Sequence, residues 1–248
     1  MLNQAQDGRV IHMPKNPDVF QFDDEVAKIF PDMARRSIPM YHEAHRAHAA
    51  MLAPWLQFRD VDVLDIGASR GEFFRYVETM YPEHIRGKDV RYTAIDNSQA
   101  MLNMLSRDFP NAYCRKMDLL SDDFLCLDRQ YDIIVCNYII QFIPPEHQWR
   151  ILTKIAQLVR PGGVLVFGHK AASSGMMGKV AHDEYIEFRI RNGYSRAEIE
   201  AKTKALANAM WTQDHEELKT GLLGLGFTEI VETTRWMMFN TFVAMKGV

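Results

Sequence analysis

The chain has 248 residues, 47% of them hydrophobic and 25% charged, with a formal net charge of −3. That length buries the core of one large α/β domain without staples, and the acidic balance offers nucleic acid no overall basic field. Residues 1–20 carry no apolar signal core and no run reaches membrane-spanning length, while Cys114, Cys126 and Cys136 share no metal-type spacing. The cysteines read as small core hydrophobes in a reducing compartment, so a cytoplasmic protein without a metal is expected.

Residues 1–21 hold Gly8, Pro14 and Pro17 among polar neighbours and read as a loosely ordered N-terminus. One domain, 22–248, is expected after it. Its first part, 22–56, reads as a helical cap. Asp23 or Asp24 starts a helix that runs to about Phe30, Pro31 and Pro39 punctuate the stretch beyond it, and a second helix covers Tyr41 to Leu52. His42, His45 and His48 recur every three residues there. A metal cluster is the sharper reading, and a polar helix surface is the one adopted, because no carboxylate or cysteine pattern completes a site.

Val61-Asp62-Val63-Leu64-Asp65-Ile66 is a short strand that breaks into Gly67-Ala68-Ser69-Arg70-Gly71, and Glu72 to Val77 opens a helix. A strand, a glycine turn and a helix begin a nucleotide-binding α/β unit, where glycine lets backbone N–H groups approach a ligand. By itself that signal is weak. Val90 to Asn97 is a second strand whose Asp96 lies roughly 25 residues past the turn, the distance at which such folds place a ribose-binding carboxylate. The alternative for Asp96 is a helix N-cap.

Ala112 to Met117 is a short third strand closed by Asp118-Leu119, where the acid suits either an adenine amino group or a turn cap. Tyr131 to Asn137 is a continuous apolar fourth strand. The next helix starts at Pro144-Pro145, Pro161-Gly162-Gly163 ends it, and Val164 to Gly168 is the fifth strand. Residues 173–224 read as a helical insertion, with a flexible link at Ser174 to Met177, a capping box at Ser195-Arg196-Ala197-Glu198 and a helix over Asp214 to Leu223. Thr228–Thr233 and Trp236–Lys246 close the chain as a hairpin. The alternation predicts a Rossmann-like α/β fold with the ligand at the C-terminal edge of its sheet.

Asp65 to Gly71, Asp96-Asn97, Asp118-Leu119, Asn137 and Pro161-Gly162-Gly163 resemble the motif series of class I S-adenosylmethionine-dependent methyltransferases. Arg36-Ser37-Ile38-Pro39-Met40-Tyr41, Asn137 to Ile143 and Asn192-Gly193-Tyr194-Ser195 resemble the carboxy-S-adenosylmethionine synthase family more closely, and the likeness runs from about Phe22 to Lys246. It implies a mostly parallel seven-stranded sheet with an antiparallel C-terminal hairpin, S-adenosyl-L-methionine as cofactor, and a homodimer. By position, Tyr41, Gly67, Ala68, Ser69, Asp96, Asn97, Asp118, Leu119 and Asn137 would contact the nucleotide, with Gly71 completing the turn. Asp65 has the sign to balance the methionyl ammonium, and the Tyr41 ring can meet the sulfonium, the alternative being packing against the cap.

Two departures from the family stand out. Its arginine for the extra carboxylate falls at Thr203, which brings no charge; Lys202 and Lys204 flank it but point about 100° away on a helix. Its Glu-Lys at the end of the fifth strand is His169-Lys170 here, so His169 is a candidate general base, against a plain hydrogen-bonded strand-end histidine. Tyr194 and Thr203 are then the substrate-side candidates. Methyl transfer to an unknown small-molecule acceptor is placed first. Synthesis of carboxy-S-adenosylmethionine from S-adenosylmethionine and prephenate comes next. Attack on the aminocarboxypropyl carbon or internal ring closure, releasing methylthioadenosine, is third. A non-catalytic nucleotide-binding module is the alternative of another class, opposed by intact Asp65, Gly67, Asp96 and Asn137.

Overall fold

The computed structural model describes residues 2–4, 10–12, 24–58, 60–82 and 90–248. The expected loose N-terminus, and the capping role of Asp23, fall largely outside these residues. Within that stretch β1 (Leu2–Gln4) and β2 (Val10–His12) pair antiparallel. Then come α1 (Asp24–Ser37), α2 (Tyr41–Met51) and α3 (Ala53–Phe58). The α/β body alternates β3 (Val61–Ile66), α4 (Glu72–Met80), β4 (Val90–Asp96), α5 (Gln99–Asp108), β5 (Tyr113–Lys116), α6 (Asp122–Leu125), β6 (Tyr131–Asn137), α7 (Pro145–Leu158) and β7 (Val159–Lys170). It ends with α8 (Gly175–Arg191), α9 (Arg196–Leu206), α10 (His215–Gly224), β8 (Phe227–Trp236) and β9 (Phe239–Lys246).

The seven strands lie in the order β5-β4-β3-β6-β7-β9-β8. The five from β5 to β7 are parallel, and β9 runs antiparallel to both β7 and β8. Because side chains alternate across a strand, each face takes every second residue. Val63, Val135, Val166 and Val243 pack under Leu52, Phe74 and Leu105 of the helices on one face. Leu64, Ile134, Phe167 and Phe242 pack under Ile151, Ile155 and Leu222 on the other. The strand order reverses beside β3, where β4 lies on one side and β6 on the other, and the crevice outside those strand ends is where such sheets take ligands.

Four local expectations are corrected. Pro31 does not end the first helix, which runs on to Ser37. The hydrogen bond that Pro31 cannot donate would go to the Ala27 carbonyl, and the Arg70 guanidinium donates there and to the Lys28 carbonyl instead, at 3.5 and 3.3 Å. Pro161-Gly162-Gly163 lies inside β7, bulged outward between the Tyr131–Val159 and Ile133–Val164 pairs. Ser174 to Met177 is no flexible link, since α8 already starts at Gly175. Cys126 is exposed, and only Cys136 is a buried core residue.

At the strand ends opposite the crevice, Asp62 accepts from Arg91 at 2.8 Å and Arg160 at 3.0 Å, with Arg129 on the same carboxylate. Hydrogen bonds from Arg91 and Arg160 hold its carboxyl down at about 2. This knot ties β3, β4 and β7 together far from any ligand.

Candidate active site

A cavity of about 930 Å³ opens at the C-terminal ends of β3, β4 and β6, roofed by α1 and α2 and walled by α8 and α9. Tyr41, Asp65, Gly67, Ala68, Ser69, Asp96, Asn97, Asp118, Leu119 and Asn137, all expected at a nucleotide site, line it together. Gly67 has φ +68°, and a Cβ there would sit 2.1 Å from Ile139 Cδ1. Ser69 and Tyr138 hold left-handed backbone at φ 50° and 60°. Such strain in non-glycine residues gathers at ligand sites.

Asp96 fixes the turn from beneath, accepting from the Ser69 N–H at 2.9 Å and the Ser98 N–H at 2.8 Å. The N-cap alternative is only partly met, because the cap of α5 is the Ser98 hydroxyl. Asp118 Oδ1 accepts from the Leu120 N–H at 2.9 Å, so it caps its own turn while facing the cavity. Burial raises the carboxyls of both Asp65 and Asp96, and the Asp96 charge pushes Asp65 up further. A buried acid pair in this state favours a ligand that brings positive charge or hydrogen-bond donors. Asn137 Oδ1 is buried without a partner. With the Gly67 cradle, this orphaned acceptor and the acid pair, the donor set fits a sulfonium nucleotide carrying an ammonium group.

Gly71 stands apart. It does not line the cavity, and its missing side chain makes room for Phe109, which a Cβ would approach to 2.9 Å. Tyr194 is also outside. Its hydroxyl meets Ser37 Oγ at 3.0 Å and its ring lies under Arg36, so it fastens the insertion to the end of α1. Tyr185 does the same, donating to the Ser37 carbonyl at 2.9 Å. Thr203 lines the cavity, but its hydroxyl donates back to the Ile199 carbonyl at 2.7 Å.

His169 is not placed to serve as a base in the cavity. On β7 it shares the face of Phe167, buried, with Nε2 2.9 Å from His215 Nδ1. Burial and the neighbouring His215 hold it down at about 3. His215 in turn meets Glu232 at 3.0 Å, and Lys219 neutralises Glu232 at 2.8 Å. The polar-surface reading of the histidine helix also fails for two of its members. His45 and His48 are buried, while exposed His42 bonds the Tyr76 hydroxyl. Among the described residues these three do not gather as a metal site.

The residues missed by sequence reasoning are cations. Lys170, Arg189 and Lys202 line the cavity at the end away from the acids, and no described lining residue at that end is acidic. The Lys170 ammonium stands over the Tyr185 ring at 4.8 Å, and the Arg189 guanidinium over the same ring at 4.4 Å. Burial, then repulsion from Arg189, brings Lys170 down to about 8; Lys202 falls to about 8 by burial and by Arg189 and Arg36. Two of the three had a signal in the sequence, Lys170 in the Glu-Lys position at the end of the fifth strand and Lys202 beside Thr203, whose facing depended on how α9 packs.

Comparison with known proteins agrees with this geometry. A methyltransferase domain model matches residues 63–163. The carboxy-S-adenosyl-L-methionine synthase of Wolinella succinogenes is 33% identical over 230 residues, spanning 92% of this chain and 94% of that protein. The synthase of Pasteurella multocida is 32% identical over 231 residues, spanning 92% and 93%. Among solved structures, the magnesium protoporphyrin IX methyltransferase of Synechocystis with bound S-adenosylhomocysteine superposes with a TM-score of 0.56 at 14% identity, covering 90% of this chain and 97% of that one. Human N-acetylserotonin methyltransferase in complex with S-adenosylmethionine gives 0.57 at 12% identity, covering 91% and 57%.

Proposed function

This chain belongs to the carboxy-S-adenosyl-L-methionine synthase family, and from that premise we propose that its second substrate is a small molecule carrying a carboxylate. The protein is an S-adenosylmethionine-dependent transferase of the class I methyltransferase fold. The observation that carries the proposal is the polarity of the cavity, with Asp65, Asp96 and Asp118 at one end and Lys170, Arg189 and Lys202 at the other.

Bound at the acidic end, the cofactor would supply for methyl transfer an electrophilic carbon already activated on a sulfonium; for carboxylation the same carbon would have to lose a proton and act as the nucleophile. Asp96 would take the ribose hydroxyls, Asp118 the adenine amino group, Asp65 the methionyl ammonium, and Asn137 would bond through its orphaned oxygen. Tyr41 would close the site from the cap with its aromatic face. The cations would hold the co-substrate carboxylate, and the protein would work mainly by alignment and by desolvation beneath the cap. In this reading 22–56 serves as the cap and 173–224 as the co-substrate wall of one domain, 22–248.

Methyl transfer to the carboxylate-bearing acceptor is the first reaction considered. Carboxy-S-adenosylmethionine synthesis from prephenate is the second, and Lys202 favours it specifically. Thr203 had removed the counter-charge that reaction needs, and Lys202, one residue away, brings a cation to the same cavity. A homodimer in the cytoplasm is the assembly and place we propose, and sedimentation of the purified protein checks the former.

Mass spectrometry of nucleotide released from the purified protein, with and without prephenate, separates the readings. Prephenate-dependent carboxy-S-adenosylmethionine establishes the synthase reaction. S-adenosylhomocysteine formed only with a different carboxylate establishes methyl transfer. Methylthioadenosine moves the reaction to another sulfonium carbon, and no nucleotide together with no calorimetric binding overturns the assignment.

A further inference from the structure

We infer that His45 is a ligand-contacting residue that accepts a hydrogen bond from the ammonium group of the bound amino-acid nucleotide. This rests on the S-adenosylmethionine reading above and adds a contact that the nucleotide motif does not contain. His45 lies one helical turn beyond Tyr41 on α2, and both side chains line the cavity. Its ring meets Tyr41 edge-on at 4.6 Å and stacks on Tyr76 at 5.2 Å. Asp65 and Glu72 line the same corner, and both act on Tyr41 electrostatically. The corner thus gathers a phenol, an imidazole and two carboxyl groups with no cation among them.

His45 Nδ1 is buried and has no hydrogen-bond partner. Burial and the nearby His42 hold the imidazole down at about 4, so at neutral pH it offers a lone pair rather than a charge. A buried polar atom left unsatisfied lowers stability. A turn of the ring about its Cβ–Cγ bond would bring this nitrogen to the cavity wall, where a donor from the ligand removes that cost. His48, one turn further along α2, separates this explanation from simple packing. It is equally buried, both of its ring nitrogens lack partners, and it does not line the cavity. The ligand would satisfy His45 and leave His48 alone.

The test is calorimetric binding of S-adenosylmethionine and of methylthioadenosine, which lacks the amino-acid arm, to wild type, H45L, H45Q and H48L. H45L should bind S-adenosylmethionine roughly ten- to hundredfold more weakly, as expected for losing a hydrogen bond to a charged donor, and should bind methylthioadenosine as wild type does. H45Q keeps an acceptor and should recover most of the loss, and H48L should bind both ligands normally. Equal weakening of both ligands by H45L, or no weakening of either, overturns the inference. Should H45L fail to fold, H45M carries the same comparison. Failure of wild type to bind S-adenosylmethionine instead defeats the functional reading itself, so the two failures are distinguishable.

Discussion

Asp65, Asp96 and Asp118 stand at or just beyond the C-terminal ends of three neighbouring parallel strands, positioned by the sheet itself. The cations across the cavity have no common frame. Lys170 ends β7, Arg189 lies in the last turn of α8, and Lys202 projects from α9. The acidic end is therefore set by strand register, which the core enforces. At the basic end only Lys170 is set by strand register; Arg189 and Lys202 are set by how two helices dock on the cap through Ser37, Tyr185 and Tyr194. A family can retune the second without disturbing the first.

The largest expected effect breaks the acidic end. D96N keeps one acceptor but loses the charge and weakens the grip on the Ser69 turn. S-adenosylmethionine affinity should fall about a hundredfold by calorimetry, with two charge-assisted hydrogen bonds at stake. The same substitution should leave the co-substrate Michaelis constant unchanged at saturating nucleotide. If both constants moved together, the two ends would not be independent.

K202M tests the other end. Nucleotide affinity should hold, while the Michaelis constant of the carboxylate substrate should rise roughly tenfold. Lys170 and Lys202 are charged below about 8 and lose that charge above it. Steady-state kcat/KM for the anionic substrate should accordingly drop as pH rises through 8, and K202M should flatten that limb. The stability sign is opposite. A lysine held below its unfolded value penalises folding most at pH 8 and under, and the penalty fades as pH rises toward the unfolded value. K202M should therefore raise the melting temperature even as it costs function.

These two ends were unequally legible in the sequence. Asp96 and Asn137 could be placed because each closes an apolar strand, and parallel strands must end at one edge; Asp118 follows the polar β5, Tyr113–Lys116, and was legible only through the family resemblance. Lys202 could not, since two flanking lysines at Thr203 point in different directions until α9 is packed. Arg189 gave no signal at all. The histidines of α2 were misread for a related reason. Their spacing describes a stripe, and only the docking of α2 on α4 and the sheet decides whether it faces solvent.

That burial has a smaller, separate consequence. His48 and His169 are held at about 3 and His45 at about 4. Folded-state values depressed below the unfolded one mean the unfolded chain takes up protons first as the solution is acidified. Stability should be full above pH 6.5 and fall below it, by about 2 kcal/mol for each imidazole by pH 5. Denaturant titrations across that range check the slope, and H48L should reduce it while raising stability at pH 7, because it removes two unsatisfied nitrogens.

The smallest effect is expected where the sequence pointed to a base. His169 and Lys170 are neighbours on β7, so their side chains leave opposite faces of the sheet. Lys170 enters the cavity; His169 bonds His215 beneath it. H169Q can still meet His215 with its amide, and kcat should stay within about twofold of wild type, whereas K170M should lose activity on the carboxylate substrate. The pair is a sharper test than either alone, because the substitutions sit one residue apart and share the strand's contribution to stability. A loss of more than tenfold in H169Q with an unchanged melting temperature would mean that the proton path crosses the sheet. The face of β7 would then not decide which of the two residues serves the reaction.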